Sequence, residues 1–141
     1  MLFRSAVKLK SKDQSTQIGA VIVSDGKEIV STGYNSFPRG INDFVSERQE
    51  RPEKYFWMEH AERNAIYNAA RGGNTTKDTV MYLTCGIPCT DCAKGIISSG
   101  IKEIYCKKED TTKNRQFWDE HAKRSLMMFE EAGIKVNYYE E

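Results

Sequence analysis

The chain has 141 residues with an ordinary soluble-protein composition, 39% hydrophobic and 29% charged, enough for one compact domain over 1–141 with a sizeable core. Its 21 basic and 20 acidic residues leave a formal charge of +1, so bulk charge gives no reason to expect a nucleic-acid partner. No apolar run approaches the roughly 20 residues that cross a bilayer, and Met1 to Lys10 mixes charges with apolar residues where a secretory leader needs an apolar block; a cytoplasmic protein without membrane attachment is expected.

Met1 to Lys12 reads as a short helix, with Leu2, Phe3, Ala6, Val7 and Leu9 at partial helical spacing. Gln17 to Val23 is a strand, Asp25-Gly26 a turn and Glu28 to Tyr34 a second strand, together a hairpin. Asn35 to Met58 is long, polar and punctuated by Pro38, Gly40 and Pro52, and a connection of that length is expected to serve function. Glu59 to Arg71 is helical, with Ala61, Ala65, Ile66, Ala69 and Ala70 for a buried face and Gly72-Gly73 as its stop. Thr79 to Thr84 is a strand, Cys89 to Ser99 a helix ended by Gly100, and Lys102 to Cys106 a strand. Lys107 to Arg115 is a charged loop. Phe117 to Glu131 is a helix burying Ala122, Leu126 and Phe129, and after Gly133 the last strand runs from Ile134 to Tyr139. A hairpin followed by alternating helices and strands predicts an α/β fold: a mixed sheet of about five strands covered by helices, the later strands parallel.

Three of the four cysteines, Cys85, Cys89 and Cys92, crowd into one stretch, and a Cys-x-x-Cys pair in an intracellular chain points to metal rather than to a disulfide. Cys89 and Cys92 fall at a helix start, on one face of its first turn, where the helix dipole favours thiolates. His60 begins another helix. His60, Cys89 and Cys92 would give zinc three ligands and leave a fourth position for water, and Glu62 would move the protons of a hydrolysis. The reading makes a structural demand: in mid-helix His60 and Glu62 would diverge, so His60 must stand at the very first turn. His-x-Glu followed by Pro-Cys-x-x-Cys is the known signature of zinc deaminases.

With these motifs the chain resembles the cytidine and deoxycytidylate deaminase family, closest to its deoxycytidylate (dCMP) branch. The resemblance runs through Ser11-Lys12-Asp13, Gln17-Ile18-Gly19-Ala20, Gly33-Tyr34-Asn35, His60-Ala61-Glu62-Arg63-Asn64-Ala65-Ile66, Pro88-Cys89-Thr90-Asp91-Cys92-Ala93-Lys94, Ser99-Gly100-Ile101-Lys102 and Glu131-Ala132-Gly133-Ile134. It implies a three-layer αβα fold, a Zn2+ cofactor and hydrolysis of dCMP to dUMP for thymidylate supply. It also implies homo-oligomers, often hexamers, and in many members activation by dCTP and inhibition by dTTP. It assigns a sugar contact to Asn35 and orientation of the pyrimidine carbonyl to the backbone N–H of Ala61. Arg39, whose guanidinium can pair with a phosphate bidentately, is the expected phosphate contact, with Lys54 second. The chain departs from the family at Ser36, where a glycine is usual, and at Lys107-Lys108-Glu109-Asp110, where an aromatic is usual. Ligands for the second zinc of some members are not found.

Plainer readings stand beside these. Cys85 with Cys89, Cys92 and His60 would make a closed structural Cys3His site, though this leaves Glu62 unexplained and asks Cys85 to reach past Pro88. A nucleic-acid deaminase acting on tRNA adenosine shares the zinc motif but calls for a basic face. His121 is expected as an exposed side chain, Cys106 as a small buried hydrophobe, and Arg71 as a dipole-complementing residue. Trp57, Phe117 and Trp118 are expected in the core or an interface rather than as stacking platforms.

Overall fold

A computed structural model describes residues 3–13, 15–109 and 116–140. The strands are β1 (Gly19–Val23), β2 (Ile29–Tyr34), β3 (Val80–Leu83), β4 (Glu103–Lys107) and β5 (Lys135–Tyr139). They form one mixed sheet in the order β2-β1-β3-β4-β5. β1 lies antiparallel to both its neighbours, while β3, β4 and β5 run parallel, as helical crossovers require. All five residues of β1 are buried, which is why its β-branched run Val21-Ile22-Val23 shows no polar alternation.

Side chains alternate across the sheet. On one face Ala20, Ile22, Met81, Leu83, Ile104 and Cys106 meet three helices: α3 (Ala61–Arg71), α4 (Thr90–Ser98) and α5 (Gln116–Ala132). Ala65, Ile96 and Phe129 are among their fully buried contributions. Emptying the Phe129 site would cost about 3–5 kcal/mol. On the other face Val21 and Val23 pack on Val7 of α1 (Phe3–Lys8). The result is the three-layer αβα arrangement, and Cys106 is buried as expected.

Two differences from the sequence reading matter for the site. The described part of the first helix ends at Lys8 rather than Lys12, and Met1 and Leu2 lie outside the described residues. Past that end Ser11 turns inward, its hydroxyl donating to the carbonyl of Asn35 at 2.8 Å and accepting the N–H of Asp13 at 3.2 Å. The long segment 35–58 is also not all loop: it carries a 3-10 turn (Ser46–Gln49) and the four-residue α2 (Lys54–Trp57). Its ends are closed by a two-way backbone bridge, Ser36 N–H to Glu59 at 3.1 Å and Glu59 N–H to Ser36 at 2.8 Å. That bridge sets the chain immediately before His60.

Gly33 brings α3 to the sheet. A Cβ at that position would run into the backbone of Ala61 and Ala65, so only glycine lets β2 lie directly against the helix. Asn64 ties the same contact from the helix side, donating to the Tyr34 carbonyl at 2.8 Å and to the Ser36 hydroxyl at 3.3 Å. Gly33-Tyr34 and Asn64-Ala65 are thus two halves of one joint.

Candidate active site and metal centre

His60 is the N-cap of α3, in extended backbone (φ −76°, ψ 150°), and Glu62 lies in the first turn. A residue held before the helix is free of helical side-chain spacing, so His60 and Glu62 face a common space despite being two residues apart. Cys89 is likewise the N-cap of α4 (φ −63°, ψ 166°), and Cys92 lies buried one turn in. Two helix starts therefore converge.

Nδ1 of His60 stands 3.5 Å from the Cys89 sulfur and 3.4 Å from that of Cys92. A tetrahedral zinc with bonds of ~2.3 Å to sulfur and ~2.0 Å to nitrogen places such atoms about 3.5 Å apart. Among the described residues, His60, Cys89 and Cys92 form the group whose ligand atoms lie within 4.8 Å of one another. The donors present suit zinc in type and in spacing. Cys85 lines the same cavity yet stands outside that group, and burial raises its thiol well above the usual range, with Glu62 adding to the effect.

The protonation of the site follows from its packing. The hydrogen bond from Cys92 brings the Cys89 thiol down to about 4, against burial and with help from the His60 ring. Cys92 is raised, because it donates that bond and because it is buried. Its bond to Cys89 raises His60, against burial. Burial raises the Glu62 carboxyl, with the His60 charge opposing. Burial thus holds the Glu62 carboxyl above the ordinary carboxylate range, the direction that suits a group which must both accept and return a proton.

His60, Glu62 and Cys89 open onto a cavity of about 500 Å³ walled also by Asn35, Lys54, Arg51, Thr84, Lys107, Glu109 and Trp118. Asn35 is buried, its Oδ1 accepting the Ile18 N–H at 2.8 Å and its Nδ2 donating to the Thr16 carbonyl at 2.8 Å. Nδ2 also approaches Asp13 at 3.5 Å, so what Asn35 retains for a ligand is a lone pair on Oδ1. Ala61 is fully buried, and as the first residue of α3 its N–H has no acceptor inside the helix.

Other sequence expectations are relocated. Arg39 lies outside the Glu62 cavity. It donates to Asn68 at 2.7 Å and lines a neighbouring cavity of about 260 Å³ with Lys10 and Lys12, the two cavities sharing Asp13, Asn35 and Met58. Lys54 instead lines the Glu62 cavity; it is buried, with Nζ 2.9 Å from Asp13 and 3.0 Å from the Ser15 hydroxyl. Trp118 borders the same cavity, whereas Trp57 lies outside the core, under the Arg48 guanidinium at 3.9 Å. Arg71 is exposed in the last turn of α3. His121 is not a free surface side chain: it is half-buried, and its Nδ1 accepts the Thr90 N–H at 3.2 Å. Glu109, read from the sequence only as part of a departure from the family pattern, lines the Glu62 cavity, its side chain lying against Gly86 where an added Cβ would meet it. Of the charged loop Lys107 to Arg115, residues 110–115 lie outside the described residues.

Comparison with known proteins gives a consistent result. An uncharacterised deaminase of Aliivibrio fischeri is 40% identical over 91% of this chain and 82% of its own length. The deoxycytidylate deaminase of enterobacteria phage T4 is 33% identical over 92% of this chain and 82% of its own. The cyanophage S-TIM5 dCMP deaminase, solved with dCMP and dUMP, superposes with a TM-score of 0.75 over 97% of this chain and 91% of its own; at 21% identity it shows a shared fold. Residues 1–108 match the cytidine and deoxycytidylate deaminase zinc-binding region, and that stretch holds both half-motifs that meet in the cavity. By this match the chain belongs to the cytidine and deoxycytidylate deaminase family.

Proposed function

We propose that the chain is a cytoplasmic hydrolase that deaminates a free cytosine nucleotide, dCMP to dUMP with release of ammonia, as a supply step for thymidylate. One observation carries the reading: three zinc-type donors converge beside a buried carboxyl on a cavity large enough for a small ligand. The names of the relatives, several of them deoxycytidylate deaminases, support the choice of substrate.

His60, Cys89 and Cys92 would hold the zinc. When bound, the metal supplies the Lewis acidity that makes water a nucleophile at neutral pH. Glu62 takes a proton from the attacking water and delivers it to the ring nitrogen, then takes the second proton from the added hydroxyl as the new carbonyl forms and passes it to the amino group, which leaves as ammonia. The N–H of Ala61 orients the pyrimidine carbonyl from the helix start, and Asn35 accepts a sugar hydroxyl through its remaining Oδ1 lone pair. For the phosphate, Arg51 and Lys54 replace Arg39, because they line the cavity that contains Glu62. Phe44 and Phe56, 88% and 82% exposed, are apolar surface suited to contacts between copies, in keeping with a homo-oligomer, a hexamer by resemblance. Control by dCTP and dTTP is part of the same proposal.

An ultraviolet assay on the zinc-loaded chain over cytidine, deoxycytidine, CMP, dCMP, dCTP, adenosine and guanine, with and without dCTP and dTTP as effectors, tests this. Turnover is expected on dCMP. Faster turnover of nucleosides than of dCMP would contradict the monophosphate assignment.

A further inference from the structure

The residue that carries the Cys89 ligand is gripped on both sides by one helix that contributes no ligand. Before it, the carbonyl of Pro88 accepts a hydrogen bond from the hydroxyl of Ser125 at 2.8 Å. After it, the N–H of Thr90 is donated to Nδ1 of His121 at 3.2 Å, with the Thr90 hydroxyl 3.1 Å from the same nitrogen. His121 and Ser125 are one turn apart on α5, so they present one face to the Pro88–Thr90 segment. Ser125 is fully buried, and the His121 ring is braced by Phe117 at 4.7 Å between centroids.

The need for an outside grip follows from the ligand geometry. A helix start leaves its first N–H groups without intrahelical acceptors, and the N-cap side chain ordinarily satisfies one of them. Cys89 occupies the N-cap of α4 and makes no such bond, its sulfur being turned toward His60. The first of those groups, the N–H of Thr90, is one that an N-cap side chain does not ordinarily serve, since caps reach the second or third, and it is accepted by His121 from another helix. Its polarity is complementary to that of Ser125: one accepts from the peptide after the ligand, the other donates to the peptide before it. Together they fix the peptide planes on either side of Cys89, and with them the direction of its Cα–Cβ bond.

We propose that His121 and Ser125 are positioning residues for the metal centre, a clamp from α5 that sets Cys89 at its ligand distance from His60. The proposal rests on the zinc reading of the site and adds that metal affinity depends on an acceptor atom at the Nδ1 position of residue 121. Asn places Oδ1 where His has Nδ1, so His121→Asn keeps the acceptor and removes the ring, whereas His121→Phe keeps a ring and removes the acceptor.

Zinc affinity of the full chain, read by competition with a chromophoric chelator, separates these roles. His121→Phe is expected to bind zinc about 10- to 100-fold more weakly, the usual cost of losing a group that orients a ligand, while His121→Asn stays close to wild type. In the cobalt-substituted protein the thiolate charge-transfer band should shift in His121→Phe and not in His121→Asn. Equal affinity for His121→Phe and wild type would overturn the clamp, as would equal losses in the two variants, which would assign the effect to ring packing. Should His121→Phe not fold, Ser125→Ala decides: about tenfold weaker binding supports the clamp and unchanged binding overturns it. Failure of these variants to differ leaves the zinc site standing, whereas a wild-type chain without zinc affinity overturns both.

Discussion

Lys54 and Asp13, 41 positions apart in sequence, meet at 2.9 Å with their side chains only 8% and 5% exposed. The pair stands in the wall of the cavity that holds Glu62 and joins the four-residue α2 to the segment leading into β1. Asp13 also accepts the N–H groups of Ser15 and Thr16, at 2.8 and 3.1 Å, so one carboxylate organises the whole corner.

Removing one partner of such a pair should be costly. Asp13→Asn can keep an acceptor for Ser15 and Thr16 but leaves the Lys54 ammonium buried without its counter-charge, which costs about 3–5 kcal/mol. Urea denaturation of Asp13→Asn, Lys54→Met and the double variant checks this, with the double variant losing clearly less than the sum. Strict additivity would show that the two residues do not depend on each other.

The same carboxyl predicts a pH dependence. Burial alone would raise Asp13, but Lys54, the backbone of Ser15 and Thr16 and the Ser15 hydroxyl together hold it down at about 2, against an ordinary 3.8. A carboxyl depressed in the folded state stabilises above its unfolded value and loses that contribution as pH falls toward the folded one. Asp13 should contribute about 2 kcal/mol above pH ~4, fading toward pH ~2. The stability gap between wild type and Asp13→Asn should therefore narrow over that window, and a gap independent of pH would contradict the assignment.

At the strand–helix joint, Gly33→Ala should destabilise the protein by about 1–3 kcal/mol, because the added methyl meets backbone of Ala61 and Ala65 that cannot rotate away. The damage is directed at the start of α3, so zinc affinity should fall together with the thermal midpoint. Calorimetry with and without chelator reads both. An unchanged midpoint would mean that the helix does not bear directly on the strand.

Much of this architecture is legible in the chain itself. The two half-motifs mark their own helix starts, since an alanine-rich run follows His60 and a proline precedes Cys89, and the parallel half of the sheet follows from helices between strands. What was not legible is long-range. The α2 turn has four residues, three of them aromatic, and is held by Lys54 reaching Asp13, a bond with no local signature. His121 looked like one more polar residue on a charged helix because its partner, Thr90, lies 31 positions away. Arg39 had the chemistry for a phosphate, but side-chain direction decides which cavity it enters, and its bond to Asn68 turns it to the neighbouring one.

A site with three ligands and an open position, as proposed, would make Cys85 dispensable for metal. Cys85→Ser should retain zinc at wild-type affinity, as its sulfur stands outside the converging group, whereas Cys89→Ser should lose metal and the stability coupled to it. Metal analysis after gel filtration distinguishes the outcomes. Loss of zinc from Cys85→Ser would mean a closed structural site.

The role of Glu62 is tested most directly by measuring zinc content and dCMP turnover on the same preparation of Glu62→Gln. The ligands are untouched and the proton carrier is gone, so zinc should remain at the wild-type level while turnover falls by about 10²- to 10⁴-fold. Wild-type turnover in that variant, with its zinc in place, would contradict the account.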